Sequence, residues 1–372
     1  MKVLHVGKYY PPFYGGIEKV NYDLVETLNE KGIQTDVFCF NHKKGSQTTQ
    51  RKYKIQRTGV WITKFSTPIS FSIFKDLHEI YQHYDIIHLH MPNPTAAIAL
   101  QFLPFKGKII LHWHLDIVKQ KLIKTAYKPF QTHLLKKADA VIVTSPDYLE
   151  SSKDLQSYKD KCHVIPLGID ETYLKENIDF RSKLAEKYKS KKVVFSLGRL
   201  IYYKGFEYLI EAAKHLDENT IVLIGGIGAL KDKLQKQIID NHLQKKVKLI
   251  GKIPSSELAE YYKRADVFCL PSIERSEAFG IVLLEAMALG CPLITTSIGS
   301  GTSWVNQHQE TGLVVTPKNS IVIADAIKII LSDKKSKVRY SENAQRRFNN
   351  HFKLEQMTDK TLHLYRNLLK EK

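Results

Sequence analysis

The sequence contains little cysteine and no long apolar run. Its 372 residues include four cysteines, which lie in separate apolar segments without the spacing of metal ligands: Cys39, Cys162, Cys269 and Cys291. We expect them to be buried thiols in a reducing cytoplasm. No apolar run reaches the roughly 20 residues of a membrane-spanning helix, and the apolar core of the N-terminal segment is too short for a signal peptide. These absences argue against a disulfide-stapled secreted domain and against an integral membrane protein.

The composition is that of a folded globular protein, with 43% hydrophobic and 25% charged residues. A length of 372 residues suits two domains better than one.

The formal net charge of +18 is spread along the chain, with 23 basic against 15 acidic residues in 1–170 and 33 against 23 in 171–372. Such a surface fits nucleic acid, an anionic membrane or phosphorylated ligands. No basic module with interleaved stacking aromatics is present, which disfavours nucleic acid.

The order of predicted elements indicates an α/β protein of two Rossmann-like, doubly wound domains. Short apolar strands alternate with helical stretches, and the pattern restarts after a Pro/Gly junction at 165–170. We predict a first domain at 1–168 and a second at 169–354, with a last helix near 355–372 that packs on the first domain. In this architecture ligands bind beyond the carboxyl ends of the strands, in a cleft between the domains.

The segment Ser276–Gly290, SEAFGIVLLEAMALG, is unusual because it carries a carboxylate in an apolar helix. Glu285 is the one polar residue between Ile281 and Leu289, and Gly290 has the place of a helix C-cap. A buried ionised carboxylate costs several kcal/mol unless it is satisfied. Glu277 lies just ahead of the same helix, whose N-terminus favours anions. The pattern indicates carboxylates for ligand hydroxyls and backbone N–H groups for a phosphate.

Two other segments have the residues expected at such a site. Gly15-Gly16 precedes the first helix, where glycines let the backbone approach a bulky ligand; an ordinary glycine turn is the alternative. Arg199 ends the first strand of the second half, and Lys204 follows shortly after. The two cations could clamp a diphosphate.

Histidines at the ends of two strands form a further pattern. His88-x-His90 and His112-x-His114 each project to one sheet face, which raises the hypothesis of a four-histidine zinc site. Neither segment supplies a clear carboxylate ligand, so we favour structural roles for His88 and His90. We interpret His114 with Asp116 as a substrate-contacting pair.

The segment Lys119–Lys137 contains six lysines and no acid, together with apolar residues and the aromatic residues Tyr127 and Phe130. It indicates either contact with an anionic membrane surface or a solvated helix face. A glycine-rich turn at 225–228 lacks the full dinucleotide fingerprint and is explained equally well by tight packing.

Together these motifs resemble the retaining glycosyltransferases of family 4, which have the GT-B fold. The resemblance rests on Gly15-Gly16, HWHLDIV, GRLIYYKG and Glu277-x7-Glu285, in the expected order from about residue 2 to the 350s. It implies that Glu285 holds the ribose hydroxyls of a nucleotide sugar and that Glu277 contacts the donor sugar. It also implies that Arg199 and Lys204 bind the diphosphate and that His114 contacts the sugar. Ile253 would lie at the base. The remaining donor contacts would come from Gly15, Gly16 and the backbone at Phe279, Gly280 and Ile281.

The resemblance also implies a mechanism without a metal ion or a protein nucleophile. The sequence has no Asp-x-Asp pair, the usual metal–diphosphate signature of the other main glycosyltransferase fold. One position departs from the family pattern, because Trp304 stands about where many members have a glutamate.

We therefore expect a cytoplasmic enzyme, peripheral on the inner face of the membrane, that transfers a hexose to a lipid-linked glycan acceptor. GDP-mannose is the first candidate donor, and UDP-hexoses remain open. A nucleotide-sugar epimerase on the same fold and a non-catalytic membrane-associated glycan-binding partner are the alternatives.

Overall fold

A computed structural model of the chain describes residues 1–12, 15–64, 67–116 and 121–370, with the backbone alone for 121–124 and 126. The chain divides into two compact units. One contains Met1–Gly168 with Leu354–Lys372, and the other contains Ile169–Lys353. Each unit is a Rossmann-like α/β domain, as the sequence predicts, and each is described by itself.

The first unit is built on an eight-stranded sheet. Its strands are β1 (Lys2–Val6), β2 (Gln34–Phe40), β3 (Gln47–Gln50), β4 (Lys54–Thr58), β7 (Ile86–Met91), β8 (Lys108–Trp113), β9 (Ala140–Val143) and β10 (Cys162–Val164), while β5 (Ile62–Lys64) and β6 (Thr67–Ile69) form a separate antiparallel hairpin. The order in the sheet is β10-β9-β8-β7-β1-β2-β4-β3, parallel except for β3. Residues of β7, β8 and β9 are buried on both faces except the first of β8, which explains their unbroken apolar character.

Helices connect these strands. They are α1 (Gly16–Glu30), α2 (Ser72–His78), α3 (Pro94–Gln101), α4 (Lys121–Lys137) and α5 (Pro146–Ser151). Helix α2 is short, and a separate 3-10 turn covers Tyr81–His83. Strands β3 to β6 and β10 are short and partly exposed, so their sequences lack the apolar run that marks a central strand.

The second unit has a six-stranded parallel sheet in the order β13-β12-β11-β14-β15-β16. The strands are β11 (Lys192–Leu197), β12 (Thr220–Gly225), β13 (Val247–Gly251), β14 (Val267–Leu270), β15 (Leu293–Thr296) and β16 (Gly312–Val315). The helices are α6 (Ile178–Lys187), α7 (Phe206–Ala212), α8 (Lys231–Asp240), α9 (Ser255–Arg264), α10 (Ile281–Ala288), α11 (Gly301–Val305), α12 (Ser320–Ser332) and α13 (Lys334–His351). Gly290 lies just beyond α10 with φ of 68°, which confirms the predicted glycine C-cap.

The last helix, α14 (Leu354–Lys370), belongs to the first unit and packs on α1. Lys31 at the end of α1 forms an ion pair with Asp359, with Nζ and Oδ1 2.9 Å apart. The inner face of α14 buries Met357, Leu364 and Tyr365. The C-terminal segment therefore completes the covering of the N-terminal sheet.

Candidate functional site

The carboxyl ends of β11 and β14 form the topological switch point of the second unit. From β11 the chain proceeds to β12 and β13 on one side, whereas β14 is followed by β15 and β16 on the other. Loops at such a point diverge and leave a crevice, where ligands of open α/β sheets bind. The loop after β11 carries Arg199 and Lys204, and the loop after β14 carries Glu277. The fold thus brings three of the predicted site residues to one edge of one sheet.

An ion pair joins these two loops. Lys204 Nζ lies 2.5 Å from Glu277 Oε2, and Ser272 Oγ donates a hydrogen bond to the same carboxylate oxygen at 3.2 Å. Both charged residues are buried. Gly198 makes room for the lysine, because a Cβ at Gly198 would lie only 3.2 Å from Nζ. The pair fixes a cation and a carboxylate side by side at the switch point.

Arg199 differs from Lys204 in its exposure. Its side chain is exposed, and its Nη2 makes a long hydrogen bond of 3.4 Å to Tyr203 Oη. A guanidinium in this position can exchange that contact for a bidentate bond to a phosphate at little cost.

Glu285 is satisfied by two tyrosines that the sequence pattern did not reveal. Tyr173 Oη donates to Oε1 at 2.5 Å, and Tyr262 Oη donates to Oε2 at 2.6 Å. Burial and the neighbouring carboxylate raise the pKa of Tyr262 well above its usual value, so its hydroxyl keeps the proton. The two tyrosine hydroxyls therefore hold both oxygens of the Glu285 carboxylate.

The remaining predicted donor contacts surround the start of α10. Phe279 is buried, and Gly280 and Ile281 begin the helix. Ile253 is half-buried. Its Cδ1 lies so close to Gly225 that a Cβ added at Gly225 would be only 2.7 Å away. The glycine turn at 225–228 packs tightly: Gly226 N donates to Gly251 O at 2.7 Å.

Trp304 has a packing role in the structure. Its ring centroid lies 6.4 Å from that of Phe279 and 5.5 Å from that of Phe352, and the Arg347 guanidinium lies 4.9 Å from the Trp304 centroid. The indole therefore supports the buried ring of Phe279 in the loop before α10.

In the first unit, the predicted site residues lie after β1 and β8. Gly15 is the N-cap of α1 and Gly16 is its first residue; the neighbouring Phe13 and Tyr14 lie outside the described residues. His114 and Asp116 follow β8 and are both buried. The Asp116 carboxylate accepts bonds from Trp113 Nε1 at 2.9 Å and Ser152 Oγ at 2.8 Å. These contacts give Asp116 a structural role besides the predicted substrate contact.

Five histidines form a buried stack on one face of the first sheet, which we call the histidine stack: His5, His88, His90, His112 and His114. The strand register explains it. His5 on β1 is paired with His88 on β7, and His90 is paired with His112 on β8. Direct partners in parallel strands share a face. Four of the five belong to the two His-x-His motifs of the sequence, whereas His5 and its partner Tyr365 on α14 belong to no motif.

The stack is hydrogen-bonded and uncharged. His90 Nδ1 lies 2.9 Å from His114 Nε2, and His88 Nδ1 lies 2.5 Å from Tyr365 Oη. Burial lowers the pKa of His5 and of His114 to about 3 and holds the pKa of the other three well below the usual value. The prediction that His88 and His90 are structural histidines fits this arrangement.

Comparison with known protein families identifies both units. Residues 14–173 match the family described as Glycosyltransferase Family 4, and residues 177–347 match the one described as Glycosyl transferases group 1. The chain is also 33% identical over 374 aligned positions to the O-antigen chain mannosyltransferase C of Escherichia coli, with all of both chains covered. This chain belongs to the family 4 glycosyltransferases.

Two further proteins resemble this glycosyltransferase. The D-rhamnosyltransferase WbpZ of Pseudomonas aeruginosa is 30% identical over 94% of this chain and 91% of its own length. Among solved structures, sucrose-phosphate synthase from Thermosynechococcus elongatus superposes with a TM-score of 0.83 at 23% identity, with full coverage of both chains. The latter likeness confirms the GT-B fold.

The cysteines of the glycosyltransferase are all free. Cys39, Cys269 and Cys291 are buried as expected, whereas Cys162 is only half-buried because it begins the edge strand β10. In the described part of the chain, no helix combines the length and apolarity needed to cross a membrane.

Acid should destabilise the glycosyltransferase through the histidine stack. Below pH 6.5, the usual pKa of histidine, the unfolded chain binds protons at His5 and His114 that the folded protein does not bind until about pH 3. Stability therefore falls as the pH falls through this window, by about 2 kcal/mol for each of the two histidines at pH 5. Urea unfolding at pH 7.5 and pH 5 measures the change.

The control for this measurement is His133→Gln, which replaces an exposed histidine and should keep the pH dependence. The variant His5→Gln should lose part of it. Equal unfolding free energies of the native protein at the two pH values would contradict the expectation.

Proposed function

We propose that this glycosyltransferase moves a hexose from a nucleotide-diphosphate sugar to a lipid-linked glycan during the assembly of a surface polysaccharide of the O-antigen type. The observation that carries the proposal is the pair of buried carboxylates at the switch point of the second unit. Glu277 is held by Lys204, and Glu285 is held by two tyrosines. The full-length likeness to an O-antigen mannosyltransferase and the likeness to a rhamnosyltransferase support the pathway class. GDP-mannose is the first donor to test, and UDP-hexoses are the alternative.

The proposed donor contacts follow from the chemistry of each side chain. Glu285 accepts hydrogen bonds from the ribose hydroxyls, and Glu277 accepts them from the hydroxyls of the sugar. Arg199 and Lys204 bind the diphosphate, with the backbone of Phe279, Gly280 and Ile281 at the start of α10. The loop at Ile253 receives the base. From the first unit, Gly15 and Gly16 allow close approach of the backbone, His114 contacts the sugar, and Asp116 contacts the sugar or the acceptor.

The proposed reaction retains the anomeric configuration and uses no protein nucleophile. The bond from the anomeric carbon to the leaving phosphate oxygen breaks while the acceptor oxygen bonds to the same face of that carbon. The proton of the acceptor hydroxyl passes to an oxygen of the leaving diphosphate. Negative charge grows on the diphosphate, and Arg199, Lys204 and the N-terminus of α10 stabilise it. In this scheme the two side chains do the work that a metal ion does in other transferases.

A panel of GDP- and UDP-sugars with a lipid-linked glycan acceptor tests the function. We expect one donor to give a glycosylated product and stoichiometric nucleoside diphosphate. The variant Arg199→Ala should reduce kcat about 100-fold, since a preorganised charge contact in the transition state is lost. Its control is Lys236→Ala on α8, an exposed cation in an ion pair with Asp240, which should keep full activity.

Two results would contradict the proposal. Full transfer by Arg199→Ala would exclude the diphosphate role. Release of an epimerised or free sugar without an extended glycan would identify the epimerase alternative.

We further propose that the first unit docks on the cytoplasmic face of an anionic membrane. Exposed aromatic side chains lie near the β5–β6 hairpin, α2, α3 and α4: Trp61, Phe71, Phe74, Phe102 and Phe130. Trp61 lies against Phe71 with centroids 5.6 Å apart, and Phe74 lies against Phe102 at 5.9 Å. We call this set the aromatic patch. Exposed lysines at 75, 128 and 136 lie on the same helices, and aromatic residues with flanking lysines favour a lipid interface.

The structure changes the expected membership of the lysine cluster. Lys137 donates to the backbone oxygens of Leu100 at 3.3 Å and Leu103 at 2.9 Å, so it caps the end of α3. Lys119 lies outside the described residues, as do the side chains of Lys121 and Lys124.

Sedimentation with anionic and with zwitterionic phospholipid vesicles tests the docking. We expect binding to anionic vesicles only, and at least a tenfold weakening in the double variant Phe71→Ser/Phe102→Ser, because two large apolar side chains leave the interface. The control is Ile178→Ser, an equally exposed apolar residue of the second unit. Unchanged binding of the double variant, or no binding of the native protein, would refute the docking.

A further inference from the structure

The histidine stack is one continuous hydrogen-bonded chain with His114 at its end. His114 Nε2 meets His90 Nδ1 at 2.9 Å, and His90 Nε2 meets His5 Nδ1 at 3.1 Å. His5 Nδ1 also meets Asn21 Oδ1 at 3.1 Å, and His5 Nε2 meets Tyr365 Oη at 3.1 Å. No described residue hydrogen-bonds to His114 Nδ1, so this is the nitrogen left for a ligand.

A second branch runs from Tyr365 to the other two histidines. Tyr365 Oη meets His88 Nδ1 at 2.5 Å, and His88 Nε2 meets His112 Nδ1 at 3.2 Å. A neutral imidazole has one donor nitrogen and one acceptor nitrogen, and a tyrosine hydroxyl has a single proton. The direction of one bond therefore sets the direction of every other bond. Just two arrangements are complete: all five imidazoles carry the proton on Nδ1, or all five carry it on Nε2.

The far end of the chain favours the Nδ1–H arrangement. His112 Nε2 is buried, and no described residue hydrogen-bonds to it. An amide can present either its oxygen or its nitrogen to His5 Nδ1, so Asn21 fits both arrangements. An unpaired lone pair is tolerated in a protein interior better than an unpaired N–H group. If His112 Nε2 is the bare nitrogen, its proton is on Nδ1, and the connected chain then places the proton of every other imidazole on Nδ1 as well.

The geometry disfavours a zinc ion among the same nitrogens. Ligand atoms of His90, His112 and His114 lie within 4.8 Å of one another, as do those of His5, His88 and His90. However, a metal needs lone pairs that converge, and a lone pair of imidazole lies in the plane of its ring. The rings of His90 and His114 are parallel within 8°, and those of His112 and His114 within 17°, so their lone pairs do not meet at one point.

We propose that His5 and His90 are positioning residues that hold His114 as its Nδ1–H tautomer. The free nitrogen of His114 is then a fixed hydrogen-bond donor and not a base. Its ligand is an oxygen acceptor, such as a sugar hydroxyl. The identity of this ligand rests on the proposed function, in which His114 contacts the sugar. The tautomer is a property of the protein without substrate.

Nitrogen-15 NMR of histidine-labelled full-length protein tests the tautomer without substrate. Two-bond and three-bond correlations distinguish a protonated from a bare nitrogen in each ring. We expect the His114 signal, assigned by its loss in His114→Gln, to show protonated Nδ1 and bare Nε2. The signals of His5 and His90 should show the same pattern. Protonated Nε2 at His114, or stoichiometric bound zinc whose removal changes these signals, would overturn the proposal.

A matched pair of variants at position 90 tests the positioning. The amide of His90→Gln can accept from His5 and donate to His114, whereas His90→Leu can do neither. We expect His90→Leu to shift His114 toward Nε2–H and to lower kcat about tenfold, the loss expected for one hydrogen bond in the transition state. The donor KM should change little. His90→Gln should restore both the tautomer and kcat.

The outcomes separate this inference from the proposed function. If His114 keeps its tautomer in His90→Leu, the positioning role is wrong, whether or not transfer occurs. If the tautomers change as expected but no donor is used, the positioning role stands and the proposed function fails.

Discussion

The structure of the second unit depends on hydrogen bonds and an ion pair that stabilise two buried carboxylates. Glu285 lies in an otherwise apolar helix, and an unsatisfied charge there would cost several kcal/mol. Tyr173 and Tyr262 supply the needed donors from distant parts of the chain. Glu277 is satisfied in a different way, by the ammonium of Lys204. Removing one partner of such a buried pair would cost about 3–5 kcal/mol, so the pair ties two loops at the sheet edge firmly together.

The parallel topology decides where these groups meet. In each unit the central strands carry the polar residues at or near their carboxyl ends, and the order of strands reverses beside β11 in one unit and beside β1 in the other. In the first unit the same register that pairs His5 with His88 gathers five imidazoles on one face. Burial keeps the imidazoles neutral. Each neutral imidazole has one donor nitrogen and one acceptor nitrogen, so the position of its proton determines the direction of its hydrogen bonds.

The sequence predicts the parts of this structure that depend on local pattern. The central strands, the helix at Ile281–Ala288, its glycine C-cap and the two-domain α/β fold all follow from periodicity and turn residues. The partners of the site residues do not. Tyr365 lies 360 residues from His5, and Tyr173 lies 112 residues from Glu285. No local signal marks a tyrosine as the partner of a distant buried group.

The pattern of charged residues in the sequence does not show which lysines are free to face a ligand or a membrane. Lys137 belongs to a run of lysines in the sequence, yet its ammonium caps the carbonyl end of α3. The short edge strands β3, β5 and β10 escaped prediction because they are exposed and polar, although strand pairing holds them in place.

In the proposed function, the buried carboxylate of Glu285 binds the ribose of a nucleoside diphosphate. Isothermal titration calorimetry with GDP and UDP on the native protein, on Glu285→Gln and on the exposed control Glu218→Gln tests this contact directly. We expect one nucleotide to bind the native protein and the control equally, and to bind Glu285→Gln at least about tenfold more weakly, since a charged acceptor is lost. Equal affinity for Glu285→Gln, or no binding of either nucleotide to the native protein, would contradict it.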